Sequence, residues 1–188
     1  MLVHFIGSRA TIDEDISYFR RIVDILKANN CELTRPWVEE AYRESQEGEV
    51  RDDWRKITQT NIEALARADI AIAEASSKSF SIGFQVANAI QQKKPLLILT
   101  RNQSLEDSFG SGISSDFVQF ADYNDENLED IIIAFIRNNT IDNKDLRFNF
   151  FIDRKIYNYL RWASFKTGKT KAEILRDLVK KDIEREDF

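Results

Sequence analysis

Residues 69–89 read DIAIAEASSKSFSIGFQVANA, and this stretch decides the fold. A short apolar run is followed by a Ser-rich turn, after which the pattern becomes helical. Short apolar runs rich in β-branched residues are typical of buried parallel strands. LVHFI and PLLILT have the same character, CELTR and FVQFADY are weaker strand candidates, and helical patterns lie between them. The alternation predicts a doubly wound α/β fold, in which helices cover both faces of a parallel sheet.

Composition limits the classes of protein to which the chain can belong. It has 188 residues, 43% of them hydrophobic and 31% charged, which is enough for one ordinary core and a small second unit. The single cysteine, Cys31, cannot form an intrachain disulfide, and no paired Cys or His spacing indicates a metal site. No signal-peptide pattern or membrane-length apolar run is present. We therefore expect a cytoplasmic protein that needs no metal or cofactor and does not bind membranes.

Polar residues follow the first and third predicted strands, at the edge where the carboxyl ends of parallel strands meet. Gly7 allows a ligand to approach closely, and Ser8 and Arg9 can donate hydrogen bonds to an anion. The Ser-rich turn after the third strand leads into a helix whose first free amide groups favour a phosphate. These two strand ends together predict an anion-binding site.

The stretches FIGSR at 5–9, ARADIAIAEASSKSFSIGFQVANAI at 66–90 and KKPLLIL at 93–99 resemble the nucleoside 2-deoxyribosyltransferases. The closest branch hydrolyses the N-glycosidic bond of deoxynucleoside 5′-monophosphates. The resemblance implies a Rossmann-like, nucleotide-binding domain at 1–137. It also implies a homodimer or larger homo-oligomer, in which a neighbouring subunit completes each site. The residues that it assigns to binding the nucleotide and its phosphate are Gly7, Ser8, Arg9, Ser76, Ser79, Ser81 and Gly83.

Two positions depart from the family's catalytic pattern. The motif SxGxGYE places the nucleophilic Glu of the family on Gln85, and the family's Asp in the preceding helix falls on Asn61. An amide keeps the shape of a carboxylate but is neither a useful nucleophile nor a general acid. We therefore expect impaired catalysis, as in a pseudoenzyme, with the carbonyl oxygen of Gln85 accepting a hydrogen bond from a sugar hydroxyl.

Other interpretations of these residues remain open. Glu74, at the end of the third strand, is a candidate for a displaced catalytic carboxylate or for a structural residue. An engineered Glu-to-Gln change would explain Gln85 but not Asn61. The βα layout also resembles TIR-like domains that cleave NAD, although Gln85 would disable that chemistry as well. The single histidine, His4, lies within the first strand pattern and is expected to be a core residue rather than a base.

A polar stretch at 138–145 is predicted to be a linker to a small C-terminal domain at 146–188. Residues 1–143 carry 15 Lys and Arg against 24 Asp and Glu, whereas residues 144–188 carry 12 against 8. The second region reads as a short strand and two amphipathic helices. Gly168 is expected to end the first helix, and Thr170 with Glu173 to form a capping box for the second.

This C-terminal region, with the strand RFNFFID and the turn TGKTKAE, resembles the ribbon-helix-helix family. The resemblance implies that two chains pair their strands and that the paired strands enter the major groove of DNA. The residues that it assigns to DNA are Arg147, Asn149, Phe151, Thr170 and Lys171. Phe151 departs from the family, where a polar side chain is usual, so a purely dimerising role remains open.

These patterns favour a nucleotide-responsive DNA-binding regulator with an impaired active site. The alternative is an active deoxyribosyltransferase or nucleotide N-glycosidase, in salvage or phage defence, that uses its C-terminal domain for oligomerisation. A third hypothesis is an assembly protein with neither ligand nor DNA. Release of base from a bound nucleotide distinguishes the alternative from the first hypothesis.

Overall fold

The structure is a computed structural model that describes residues 1–48, 53–101, 116–140 and 150–186. The chain divides into two compact units, Met1–Thr140 and Ile141–Phe188. Within the described ranges, no helix is long and apolar enough to cross a membrane.

Strands and helices alternate along the N-terminal unit. The strands are β1 Leu2–Ile6, β2 Glu32–Leu33, β3 Ile70–Glu74, β4 Leu96–Thr100 and β5 Val118–Asp122. The helices are α1 Ile12–Ala28, α2 Trp37–Glu47, α3 Trp54–Arg67, α4 Phe80–Gln91 and α5 Leu128–Asn139. The five strands form one sheet in the order β2-β1-β3-β4-β5, and every pair is parallel. The predicted doubly wound α/β fold is confirmed.

Side chains alternate between the two faces of the sheet, and each face has its own core. The α1 face, which α1, α2 and α5 cover, carries Val3, Phe5, Ile70, Ile72, Leu97 and Leu99. The α4 face, which α3 and α4 cover, carries Ile6, Ala71, Ala73, Leu96 and Ile98. Because residues two apart on a strand share a face, His4 lies on the α4 face and Glu74 on the α1 face.

Helix α2 is not predicted by the sequence patterns, and it completes the core on the α1 face. Trp37, Val38 and Ala41 are buried there. The Trp37 ring stacks on Phe5 at 5.9 Å between centroids, and its Nε1 donates to the Phe5 carbonyl oxygen at 2.9 Å. Gly48 ends the helix in the left-handed region, with φ of 68°. The weak strand candidate before α2 is reduced to two paired residues.

The sheet order places a crevice at the carboxyl end of β1. Strand β1 pairs with β2 on one side and β3 on the other, so the connections that leave β1 and β3 diverge. In the register of β1 and β3, Ile6 lies beside Ala73. A Cβ added to Gly7 would lie 3.0 Å from the Trp37 ring and 3.1 Å from the Phe19 ring. The aromatic rings packed behind the crevice therefore leave no room for a side chain at Gly7.

The C-terminal unit contains two helices, α6 Arg154–Thr167 and α7 Lys171–Glu186. Gly168 follows α6 with φ of 71°, which confirms its predicted role. The Glu173 carboxylate accepts from the Thr170 amide at 2.7 Å, and the Thr170 hydroxyl accepts from the Glu173 amide at 3.2 Å. The predicted capping box is therefore present.

The two helices of this unit bury few side chains. Leu160, Ala163 and Ile174 form the buried cluster. The large apolar side chains that stay exposed on α6 and α7 are Ile156, Tyr157, Tyr159, Trp162, Phe165, Leu178, Val179 and Ile183. Phe151 is also exposed, and residues 150–152 form no strand. Arg147 and Asn149 lie outside the described residues, so the DNA-contacting ribbon stays a prediction.

Candidate functional site

A pocket lies at the carboxyl ends of β1 and β3. The lining comes from the turn after β1, the connection after β2, helix α3 and the start of α4. The residues that line the pocket include Gly7, Ser8, Arg9, Arg35, Trp54, Ile57, Asn61, Ser79, Ser81 and Gln85.

Most of the residues predicted for the site come together in this pocket. Those that line it are Gly7, Ser8, Arg9, Asn61, Ser79, Ser81 and Gln85. Ser76, Gly83 and Glu74 do not line it. The Ser76 hydroxyl instead accepts from the Arg101 amide at 2.9 Å and donates to Glu74. Gly83 lies within α4, where an added Cβ would meet no atom within 4 Å.

Serine hydroxyls and helix amides are the groups at the pocket that can donate hydrogen bonds to an anion. Ser79 occupies the N-cap position of α4, but its hydroxyl makes no capping hydrogen bond. Ser8 precedes the 3₁₀ turn Arg9–Thr11, also without a capping bond. The amides in the first turn of a helix have no intrahelical acceptor, and they favour anions. Within the described ranges, no group of three or more His, Cys, Asp or Glu is placed to hold a metal ion.

Gln85 is buried against the sheet, where it meets His4. Helix α4 turns Ile82, Gln85 and Ala89 inward at spacings of three and four. The His4 Nε2 lies 3.0 Å from the Gln85 Oε1, and the His4 Nδ1 lies 3.0 Å from the Thr34 hydroxyl. We assign the tautomer in which the Thr34 hydroxyl donates to Nδ1 and Nε2–H donates to Gln85.

This hydrogen bond changes what Gln85 offers to a ligand. We predict from the sequence a carbonyl oxygen directed at a sugar hydroxyl, but that oxygen already accepts from His4. The Gln85 amide nitrogen lies 3.4 Å from both the carbonyl and the hydroxyl oxygen of Ser81, a pocket residue. His4, which lies behind the pocket, therefore holds the Gln85 amide in one orientation.

Burial keeps His4 in the neutral form. Desolvation lowers the pKa of His4 below its ordinary value of 6.5, the hydrogen bond to Gln85 opposes this shift, and the charge of Arg35 adds to it. The expectation that His4 is a buried residue of the sheet is correct, because it is 1% exposed. Its contact with a pocket side chain is not evident from its sequence position.

Arg35 is a pocket residue that the sequence analysis missed. Its Nη1 donates to the Asn61 Oδ1 at 2.6 Å. The other cation of the lining, Arg9, is paired with Glu44. Arg35 follows the second strand as Ser8 and Arg9 follow the first, so the rule of strand carboxyl ends could have identified it. Among the described lining residues, two are arginines and none is a carboxylate.

Glu74 belongs to a buried polar cluster on the α1 face, across the sheet from Gln85. One oxygen, Oε1, accepts from the Tyr123 hydroxyl at 2.9 Å and from the Arg101 Nε at 3.4 Å. Arg101 also pairs with Asp15 at 2.5 Å. The other oxygen, Oε2, is buried and has no hydrogen-bond partner among the described residues. This placement suits a structural carboxylate, and it brings Glu74 together with Ser76 but not with the predicted site residues that line the pocket.

Sequence comparison with known proteins identifies the family and several relatives of this chain. Residues 3–149 match the sequence profile of the family described as nucleoside 2-deoxyribosyltransferase. A 5-hydroxymethyl-dUMP N-hydrolase of Esox lucius is 26% identical over 140 residues, which are 73% of this chain and 97% of that protein. The Mus musculus protein of the same name is 29% identical over 133 residues, 69% of this chain and 76% of its own. A putative 2′-deoxynucleoside 5′-phosphate N-hydrolase 1 of Nematostella vectensis is 31% identical over 101 residues, 54% of this chain and 68% of its own.

We expect His4 to titrate with a pKa below 6.5 in the folded protein. A lowered histidine pKa contributes stability that is present above the ordinary pKa and is lost as the pH falls through the folded pKa. The free energy of unfolding should therefore decrease as the pH is lowered below about 6.5. Because the chain has one histidine, its imidazole signals can be followed by proton NMR without ambiguity.

The matched variant is His4→Gln, which retains an amide donor for Gln85 but cannot titrate in this range. Its free energy of unfolding, measured by urea denaturation at several pH values, should change less between about pH 7 and pH 5 than that of the wild type. An imidazole that titrates at or above pH 6.5 would contradict the assignment of a neutral, buried His4.

Proposed function

Since the chain belongs to the nucleoside 2-deoxyribosyltransferase family, we propose that its pocket binds a 2′-deoxynucleoside 5′-monophosphate. The observation that carries this proposal is that three serines line one pocket, Ser8 from the turn after β1 and Ser79 and Ser81 from the start of α4. A phosphate at that position can accept hydrogen bonds from the hydroxyls and from the first-turn amides.

The rest of the pocket has the chemistry that a nucleoside requires. Trp54 lines it and is 55% exposed, which leaves a flat apolar surface on which a base can stack. Ile57, one turn further along α3, adds apolar contact in the same lining. The amides of Asn61 and Gln85 provide neutral polar groups for sugar or base. An anion-binding end combined with an apolar wall supports a nucleotide rather than an inorganic anion.

Hydrolysis of the N-glycosidic bond is the second candidate function. The similarity to N-hydrolases favours this alternative over a nucleotide-responsive regulator. In the reaction, water adds to the anomeric carbon, and the base leaves with a proton. The transition state carries positive charge on the sugar, which a carboxylate stabilises far better than an amide. With Gln85 and Asn61 at the two family positions, we propose that the bound nucleotide is hydrolysed slowly.

For the C-terminal unit, we propose dimerisation and DNA binding. The proposal is supported by the exposed apolar side chains of α6 and α7, which such a small unit cannot bury by itself. It is also supported by the excess of Lys and Arg in residues 144–188. Lys171 stands at the first position of α7, with its Nζ 4.2 Å from the centre of the Tyr157 ring.

The first prediction of the proposed function concerns the 5′-phosphate of the ligand. A 2′-deoxynucleoside 5′-monophosphate should bind at least about 10-fold more tightly than its nucleoside, because a charged group accepts the stronger hydrogen bonds. Ser79→Ala should narrow this difference in isothermal titration calorimetry. Ser17→Ala, which changes an exposed serine of α1, is the control and should preserve it. Equal affinities of nucleotide and nucleoside in the wild type would contradict the proposed phosphate site.

A second prediction concerns the two amides. The double variant Gln85→Glu with Asn61→Asp should release base from a deoxynucleoside 5′-monophosphate roughly 10²-fold faster than the wild type, because it restores both carboxylates. Each single variant should be slower than the double variant, as measured by chromatography of the free base. Rapid release by the wild type that persists in Gln85→Ala but disappears in Glu74→Gln would instead move catalysis to Glu74.

A third prediction addresses DNA binding. Lys171→Ala should weaken the binding of duplexes of every sequence alike and lower the salt slope by about 1, because one phosphate contact per site is lost. Fluorescence anisotropy of the full-length chain over a salt series measures both effects. Lys181→Ala changes an exposed lysine near the other end of α7 and is the control. If the full-length chain binds no duplex at low salt, only the dimerising role is left.

A further inference from the structure

The pocket is less negative than it would be if Asn61 and Gln85 were carboxylates. Among the described lining residues, Arg9 and Arg35 are the cations, and no Asp or Glu accompanies them. The charge of Arg9 is neutralised by its ion pair with Glu44. The pocket therefore retains the charge of one partly buried guanidinium, that of Arg35.

The partner of Arg35 is a neutral group. Its guanidinium donates to the Asn61 Oδ1 at 2.6 Å, and within the described ranges no carboxylate lies at ion-pair distance from it. Burial lowers the pKa of Arg35, the charge of Glu40 opposes this shift, the charge of Arg9 adds to it, and the charge of Glu44, the partner of Arg9, opposes it. Glu40 is exposed, so solvent and salt screen its charge. A guanidinium desolvated without a matched anion gains strongly from an anionic ligand.

Arg35 and the proposed phosphate site are attached to different strands. Arg35 follows β2, whereas Ser79 follows β3, and β1 lies between them in the sheet. The ends of β2 and β3 are therefore two strand spacings, or about 10 Å, apart. Arg35 is further held by Asn61 of α3. The backbone positions from which Arg35 and Ser79 enter the pocket therefore follow separate strands of the sheet.

We propose that Arg35 binds a second anionic group of the ligand, which the sugar or the base carries in addition to the 5′-phosphate. This inference rests on the proposed nucleotide site and defines its substrate class as doubly anionic nucleotides. Two sources supply this chemistry: a phosphate ester on the 3′ oxygen of the sugar, or a carboxylate on the base. In either case, the second anion forms charge-assisted hydrogen bonds with the guanidinium.

Two matched ligand pairs test the proposal by isothermal titration calorimetry of the full-length chain. Thymidine 5′-monophosphate is compared with thymidine 3′,5′-bisphosphate, and 2′-deoxyuridine 5′-monophosphate with 5-carboxy-2′-deoxyuridine 5′-monophosphate. The doubly anionic member of at least one pair should bind about 10-fold more tightly than its monophosphate. A gain in the first pair places the second anion on the sugar, and a gain in the second pair places it on the base.

Three variants connect that gain to Arg35. Arg35→Gln should reduce the ratio of the two affinities to about 1, because the cation is removed. Asn61→Asp should also suppress the ratio, since its carboxylate would neutralise the guanidinium that Asn61 now contacts. Arg43→Gln, which removes an exposed arginine of α2, is the control and should leave the ratio intact. A ratio that persists in Arg35→Gln overturns the inference.

Different results would overturn the second anion site and the nucleotide site. If both monophosphates bind but neither doubly anionic ligand gains affinity, the second anion site is overturned and the nucleotide site remains. If none of the four ligands binds to the folded chain, the proposed nucleotide site and the inference that rests on it are both overturned.

Discussion

The parallel pairing of β1 with β3 is the interaction on which the rest of the N-terminal unit depends. Its register, from Val3 with Ile70 to Ile6 with Ala73, sets the carboxyl ends of the two strands side by side. Because β2 pairs with the other edge of β1, the chain leaves β1 and β3 in diverging directions and opens a crevice. The turn at Gly7 and the start of α4 then face one pocket, although more than 70 residues separate them in the sequence.

The alternation of side chains along these strands separates two polar networks. On the α4 face, His4 connects Thr34 to Gln85 beneath the pocket. On the α1 face, Glu74 shares Arg101 with Asp15. Buried polar groups are costly unless they are paired, and the hydrogen bonds within each network pair its members except for Glu74 Oε2, which has no partner among the described residues. Burial alone would raise the pKa of Asp15, but hydrogen bonds from Thr11, Arg101 and Ser77 outweigh it and hold that pKa below its ordinary value.

This separation leaves the described lining of the pocket with two arginines and no carboxylate. The buried carboxylates near the strand ends, Glu74 and Asp15, serve the α1 face, whereas the pocket has amides at positions 61 and 85. Amides preserve hydrogen bonding and shape, but they stabilise neither a cationic transition state nor the Arg35 guanidinium. Under the function proposed above, the same two amides weaken catalysis at positions 61 and 85 and strengthen the attraction of the pocket for anions.

The sequence by itself determined the elements and their local signals. Hydrophobic periodicity predicted the alternation of strands and helices, and local hydrogen-bonding residues predicted the cap of α7, because both depend on neighbours within a few positions. The rule of strand ends likewise predicted five residues of the pocket lining, and the family resemblance added Asn61 and Gln85. The sequence patterns did not predict helix α2, because the burial of its apolar residues, among them Trp37, becomes evident only when the helix packs against the core.

Only the tertiary structure decided which of these residues meet. His4 reaches Gln85 across 81 positions, Arg35 contacts Asn61 across 26, and Glu74 turns away from both pairs. These outcomes follow from the strand order and register of the sheet, which long-range pairing sets. A shift of one residue in the register of β1 and β3 would bring His4 and Glu74 to the same face of the sheet, because the side-chain period of a strand is two.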